Sequence, residues 1–195
     1  LTVDEAIGYV DFNTIGVLVG MMLFVAVVKH SGLFEYVSIK SAKMAKGDPW
    51  KIMVVFMIIT AVCSALLDNV TTVLLMGPMT LTMAQMLRIN PVPILLGQIF
   101  ASNIGGTMTL IGDPPNIMIG SAANLSFMDF VENTGVACTI GLIVIIFFMK
   151  VAYKKKLSAD ADAVKEIMEL DENKAITDPK LMKISIAMIV LIVVA

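Results

Sequence analysis

The sequence predicts an all-α polytopic membrane protein, and three observations carry that prediction. Of the 195 residues, 58% are hydrophobic and 15% are charged, above and below the shares of an ordinary soluble domain. The apolar residues gather in uninterrupted runs about as long as a bilayer core is thick, rather than in strand-like alternation. Two such runs, "SALLDNVTTVLL" (64–75) and "ASNIGGTMTLIGDPPNIMIG" (101–120), hold an aspartate, amides and hydroxyls at their centres. Interrupted apolar helices of this kind mark transporter binding sites. A net charge of -2 leaves no basic face for nucleic acid. Cys63 and Cys138 both lie in apolar runs and read as small buried hydrophobes, not as a disulfide, zinc or redox pair.

Residues 12–28 form the first predicted span, broken only by Asn13 and Thr14. The segment 29–51 carries Lys29, Lys40, Lys43, Lys46 and Lys51 against Glu35 and Asp48. Within it, 33–46 reads as an amphipathic interfacial helix ended by Gly47, and the lysine excess places the loop in the cytoplasm. His30, at the end of the first span, needs no special role there.

Residues 52–87 form two apolar arms around the polar tip Asp68, Asn69, Val70, Thr71 and Thr72, with a break expected at Gly77-Pro78. Two readings stay open at this point. The arms are two short spanning helices joined by a solvated turn, or a re-entrant hairpin whose tip stops near the bilayer midplane. The β-branched "DNVTTV" resembles the restart of a buried helix more than a solvated turn.

The segment 93–122 is expected to be one broken helix, stopped by Gly105-Gly106 and restarted at Asp113-Pro114-Pro115. Asp113 suits the N-cap and Pro114 the first helical position. The backbone from Gly105 to Gly112 is then expected to be extended, which at membrane depth requires cover by protein or a water-filled cavity. A polar loop leads to the last full span, 136–153, whose end is marked as cytoplasmic by Lys154, Lys155 and Lys156. Residues 157–180, rich in Asp and Glu, read as an acidic cytoplasmic linker, a solvated connector in preference to a regulatory segment. A further membrane helix starts at 181 and continues to 195. Because the chain opens without Met or a signal sequence and stops inside an apolar run, it is expected to be an internal piece of a longer transporter.

An aspartate inside a membrane helix is costly and normally faces a protein interior or a pathway, so Asp68 and Asp113 are the leading candidates for chemistry. Met76, Met79, Met83 and Met86 share a helix face and could bind Cu(I), but thioethers at this frequency are core fillers first.

The strings "SGLFEYVSIKSAKMAKGDP", "SALLDNVTTVLL", "NPVP" and "ASNIGGTMTLIGDPPNIMIGSAANLSFMDF" resemble the ArsB/NhaD permease family. This group includes arsenite permeases, sodium/proton antiporters and the melanosomal P protein, within a superfamily that also holds dicarboxylate carriers. The likeness runs through about residue 130. It implies two inverted repeats, each giving a re-entrant hairpin and an unwound helix to a midplane site. Residues 1–156 would be the first repeat and 181–195 the start of the second. It further implies a homodimer in the plasma membrane moving by an elevator-like mechanism.

On this chain the implied ion- or substrate-binding residues are Asp68, Asn69, Thr71 and Thr72 at the hairpin tip. In the unwound segment they are Asn103, Gly105, Gly106, Thr107, Thr109, Gly112, Asp113 and Asn116, with sodium expected near Asp68, Asn69, Asn103 and Asp113. The dicarboxylate branch carries a neutral tip, so Asp68 favours a cation or proton.

The expected function is secondary active transport of ions or small anions by an antiporter or permease, coupled to H+ or Na+ and needing no cofactor. The alternative is a sodium-coupled di- or tricarboxylate symporter of the citrate type. A passive channel and an intramembrane aspartyl protease are remoter readings. The protease pattern Gly-x-Gly-Asp is not matched, since this chain has Leu110-Ile111-Gly112-Asp113, and no enzyme activity is expected.

Overall fold

A computed structural model describes residues 12–194, so the first eleven residues of the expected repeat, and Ala195, lie outside the described part. The described residues fold into helices joined by turns and loops, with no strand among them. The helices are, in order, α1 (Phe12–Lys29), α2 (Leu33–Met44), α3 (Pro49–Leu66), α4 (Asn69–Met86), α5 (Val92–Thr107), α6 (Pro114–Ala123), α7 (Phe127–Asn133) and α8 (Gly135–Tyr153). A 3-10 turn (Lys154–Lys156), α9 (Ala161–Glu169), a second 3-10 turn (Glu172–Ala175) and α10 (Pro179–Val194) follow. Among the described residues α3 and α8 are long and apolar enough to cross a membrane.

Local chemistry explains most boundaries. Gly32 sits in the left-handed region at φ 77° and opens α2, while Gly47 at φ 70° turns the chain after it. The Asp48 carboxylate accepts from Trp50 N at 3.0 Å, and Pro49 fills the first helical position, so α3 starts sharply. The expected break at Gly77-Pro78 does not occur. Pro78 lies inside a continuous α4, because Leu75, Met76 and Met83, buried on either side of it, hold both halves to the core. Tertiary packing thus outweighs the one backbone bond that proline removes.

The core is centred on α3. Ile52, Met53, Phe56 and Met57 are fully buried and pack with Ile94 and Ala101 of α5 and Met149 of α8. Met76 and Met83 are buried and Met79 accepts a hydrogen bond from Ser38 Oγ at 3.3 Å, so these methionines pack the interior. Cys63 and Cys138 are half-buried and unpaired, less enclosed than the sequence suggested, since both sit on helix faces that this chain leaves partly open. The outer face of α8 exposes Ile140, Ile143, Val144, Phe147 and Phe148, a surface suited to lipid.

The acidic segment is the clearest departure from expectation. It is not a solvated connector but a strap packed on the lysine-bearing end of the bundle. Leu157 and Ile167 are buried in the central core, and Ala163 is fully buried. Val164 lies so close to Gly47 that no Cβ would fit there, and the backbone at Ala175 and Thr177 crowds Gly32 in the same way. Thr177 N donates to Ser31 O at 3.2 Å. Lys43 Nζ meets Glu172 Oε2 at 2.6 Å, and Arg88 meets Asp160 at 3.0 Å. Val164, Ile167 and Met168 stand at helical spacing in the sequence, but the acids around them favour a solvated reading; in the structure Ile167 is buried, Val164 half-buried and Met168 exposed.

The hydrogen bond from Lys43 holds the Glu172 carboxyl below the usual carboxylate range. A lowered value means that this tether stabilises fully above the ordinary carboxylate pKa and is lost as pH falls through the depressed one. In the full-length protein, Lys43→Gln is therefore expected to raise hydrogen–deuterium exchange over residues 161–176 at neutral pH, and strong acid is expected to do the same to the wild type. Exchange unchanged by the substitution would contradict the tether.

Candidate functional site

Two helix interruptions meet at one place. The first is the two-residue gap between α3 and α4 at Leu67-Asp68, and the second is the stretch 108–113 between α5 and α6. They meet because α3 and α5 approach at backbone distance. A Cβ on Gly105 would collide with the Ala61 backbone, so only glycine lets the two axes come this close. Ser64 Oγ then donates to Ser102 O at 2.7 Å, and Thr109 Oγ1 donates to Ala65 O. The last turn of α3 is thereby tied to the end of α5 and to the segment beyond it.

The second interruption is shorter than the sequence suggested. Gly105 and Gly106 do not stop α5, which runs on to Thr107; the interruption is confined to 108–113, which turns and bends instead of running extended from Gly105, with Met108 right-handed and Asp113 extended. These glycines serve close packing instead of termination. A Cβ on Gly106 would lie 2.6 Å from Gly112 O and 3.4 Å from Asn69 Cβ, and one on Gly112 would lie 2.7 Å from Ser64 O. Asn116 closes the loop, its Nδ2 donating to Thr109 O at 2.8 Å and Gly106 O at 3.2 Å. Gly112 N donates to Thr109 Oγ1 at 3.1 Å.

The two aspartates exchange the roles that the sequence suggested. Asp68, 6% exposed, is the working N-cap, its Oδ1 accepting from Thr71 N at 2.8 Å. Asp113 precedes α6 in extended geometry but makes no side-chain cap bond. The reason lies in the prolines: Pro114 and Pro115 have no N–H to offer, and Asn116 N already donates to the Asp113 backbone carbonyl at 2.9 Å. Asp113 is thus half-buried, uncommitted and near enough to Asp68 for the two charges to interact.

Of the other predicted residues, Asn69 donates through Nδ2 to Asn103 Oδ1 at 3.4 Å, and its own Oδ1 is buried without a partner. Asn69 and Asn103 line an open cavity of about 260 Å³ with Val70, Ile99 and Ser102. Thr72 is buried one turn into α4. Thr107 is not drawn into this cluster: it faces outward, and its hydroxyl donates back to Asn103 O at 2.8 Å. Sequence reasoning did not single out Ser64 or Ser102, which lock the two helices; a hydroxyl inside each apolar run was the available signal.

With this geometry in view, comparison with known proteins is informative. The citrate transporter family (CitMHS) matches the whole of residues 1–195. The chain belongs to that citrate transporter family. It is 43% identical over 186 residues to an uncharacterized transporter of Mycobacterium tuberculosis, covering 95% of this chain and 43% of that protein. A 46 kDa membrane protein of Mycobacterium leprae is 43% identical over 169 residues, 87% of this chain and 39% of the relative. The human P protein is 33% identical over 157 residues, 78% of this chain and 19% of that protein. The chain therefore spans less than half the length of the curated relatives it matches. The resemblance read from the motifs, P protein included, is borne out, and the protein is an integral membrane protein.

For this citrate transporter family chain, the glycine contacts give a direct check. Gly105→Ala and Gly112→Ala are each expected to destabilise the detergent-solubilised full-length protein by about 1–3 kcal/mol, as overpacking does. Gly77→Ala and Gly141→Ala, with nothing within 4 Å of the added methyl, are expected to leave Tm unchanged or slightly raised. Equal melting of all four variants would contradict the close helix contact.

Proposed function

We propose that this chain supplies one half of the site of a secondary active transporter of ions or small anions, and that this half handles the coupling ion, H+ or Na+. The observation that carries the reading is the meeting of two helix starts whose polar groups are acceptors. Asp68, Asp113 and the partnerless Asn69 Oδ1 gather there, while the donors that would cradle an anion are few. Pro114 and Pro115 remove two N–H groups from the start of α6, and Thr71 N is taken by Asp68. Helix N-termini bind anions through such free N–H groups, so this half suits a cation or proton better. Sodium would lie near Asp68, Asn69, Asn103 and Asp113, and a proton on either aspartate would compete with it. Competition of two ions for one site gives antiport.

The depth of the site is part of the proposal. The hydroxyl of Thr134, at the junction of α7 and α8, donates to Thr107 O at 2.9 Å, which sets the interruption level with that junction. From that junction α8 runs about 28 Å to the lysines. The chain between the interruption and that junction exposes Ile119, Leu125 and Met128, apolar side chains suited to lipid. The tip at Asp68 is read as the end of a re-entrant hairpin inside the membrane, not as a surface turn, because Asp68 and Thr72 are buried against protein. The loops 29–51 and 154–180, brought to one end of the bundle by the strap, are read as cytoplasmic. The whole protein is proposed to pair this repeat with an inverted second one and to work as a homodimer in the plasma membrane, by elevator-like movement and without enzymatic chemistry.

A second reading, sodium-coupled symport of a di- or tricarboxylate, is favoured by the description of the matching family as citrate transporters. Uptake of citrate, sodium and arsenite into vesicles bearing the full-length protein, with and without a proton gradient, separates the two. Asp68→Asn and Asp113→Asn are each expected to fold normally, since asparagine retains the cap oxygen at 68 and no cap bond exists at 113, and each is expected to lose the pH dependence of transport. Asp68→Ala is expected to cost about 1 kcal/mol of stability in addition. Wild-type pH dependence in both asparagine variants would overturn the coupling role and favour the symporter.

A further inference from the structure

Between residues 52 and 107 the only charged side chains are Asp68 and Arg88, yet the helices joining them bury further polar groups. Thr60 of α3, Thr72 and Thr80 of α4 and Gln98 of α5 are each buried to within about one per cent of full enclosure. Thr80 Oγ1 donates to Gln98 Oε1 at 2.8 Å. The remaining polar atoms of this group, Thr60 Oγ1, Thr72 Oγ1 and Gln98 Nε2, have no partner. A buried polar group left unpaired is destabilising, and such groups in native proteins are generally met by internal water.

The placement is directional. Thr72, Met76 and Thr80 are spaced four residues apart and so share one stripe of α4 beginning one turn from Asp68. Gln98 lies one turn from Ser102, and Thr60 one turn from Ser64, the pair that locks α3 to α5. The stripe leads from Asp68 toward the Arg88 end over about 18 Å. We propose that internal water binds between Thr60, Thr72, Thr80 and Gln98, and that this hydrated track carries protons between the Arg88 end and Asp68. Water fits because the group offers an amide donor together with hydroxyls that both donate and accept. A metal cation does not, since Gln98 Nε2 would point hydrogens at it. The charged group facing Asp68 is Asp113; α3 and α5 add serines and amides at that level but no charge. The hydration claim stands on these buried atoms, whereas the proton route rests on the reading of Asp68 as a coupling group.

X-ray hydroxyl-radical footprinting of the full-length protein in ¹⁸O water tests the water directly, because radicals formed in bound water label adjacent side chains. Met76, which stands between Thr72 and Thr80 on the stripe and belongs to an apolar cluster with Val28, Phe34, Leu67 and Leu75, is expected to take up label, whereas Met53, in the central core cluster, is not. Gln98→Leu, or Thr60→Val if the first variant folds poorly, is expected to abolish Met76 labelling and to slow proton-coupled transport while substrate binding is retained. Met76 as unreactive as Met53 overturns the hydration site. Labelling lost with transport rate unchanged overturns the route. Wild-type pH dependence in Asp68→Asn, with Met76 still labelled, removes the coupling reading and the route with it but leaves the water in place.

Discussion

The contact on which the rest of the structure depends is the backbone approach of α3 to α5. Gly105 permits it, and the Ser64 hydroxyl on the Ser102 carbonyl fixes its register. Without that approach the gap at Leu67-Asp68 and the gap at 108–113 would be two unrelated helix ends. With it, they form one polar enclosure inside an apolar bundle. Thr109 on Ala65 O and Asn116 on Gly106 O and Thr109 O satisfy backbone groups that lipid could not satisfy. The irregular backbone survives because its own side chains cover it.

The two aspartates show how the same residue type acquires different duties from its immediate successors. Asp68 precedes Asn69, Val70 and Thr71, all with N–H groups, so its carboxylate closes on the helix it begins. Asp113 precedes two prolines, finds no donor, and keeps its carboxylate free. The two carboxylates lie within electrostatic reach of each other; the proposed coupling role draws on both, while Asp68 in addition holds the start of α4 in place.

Much of this was legible in the sequence. The span boundaries near residues 28, 136 and 153, the restart at Pro114 and the candidacy of Asp68, Asn69, Asn103, Asp113 and Asn116 follow from apolar runs and their polar interruptions. What the sequence obscured depends on contacts between distant residues. Gly105-Gly106 reads locally as a stop, but its purpose is to admit Ala61, which no local rule reveals. Gly77-Pro78 reads as a break, but packing on both sides overrides it. Asp113 reads as a cap, and only the donor inventory of Pro114, Pro115 and Asn116 shows that it has nothing to cap. The strap reads as solvated because its buried positions are outnumbered by acids that meet Lys43 and Arg88.

The central claim is that the two interruptions form a single ion-binding enclosure. It is tested most directly by cysteines placed together at Asn69 and Asn103 of the full-length protein in a Cys63→Ala, Cys138→Ala background. The account predicts that the pair forms a disulfide under mild oxidation and that the coupling ion, sodium or acid pH, slows both its formation and the alkylation of a single cysteine at 69. Failure of the pair to cross-link in a folded, transport-competent protein, or alkylation at 69 that is indifferent to every tested ion, would contradict it.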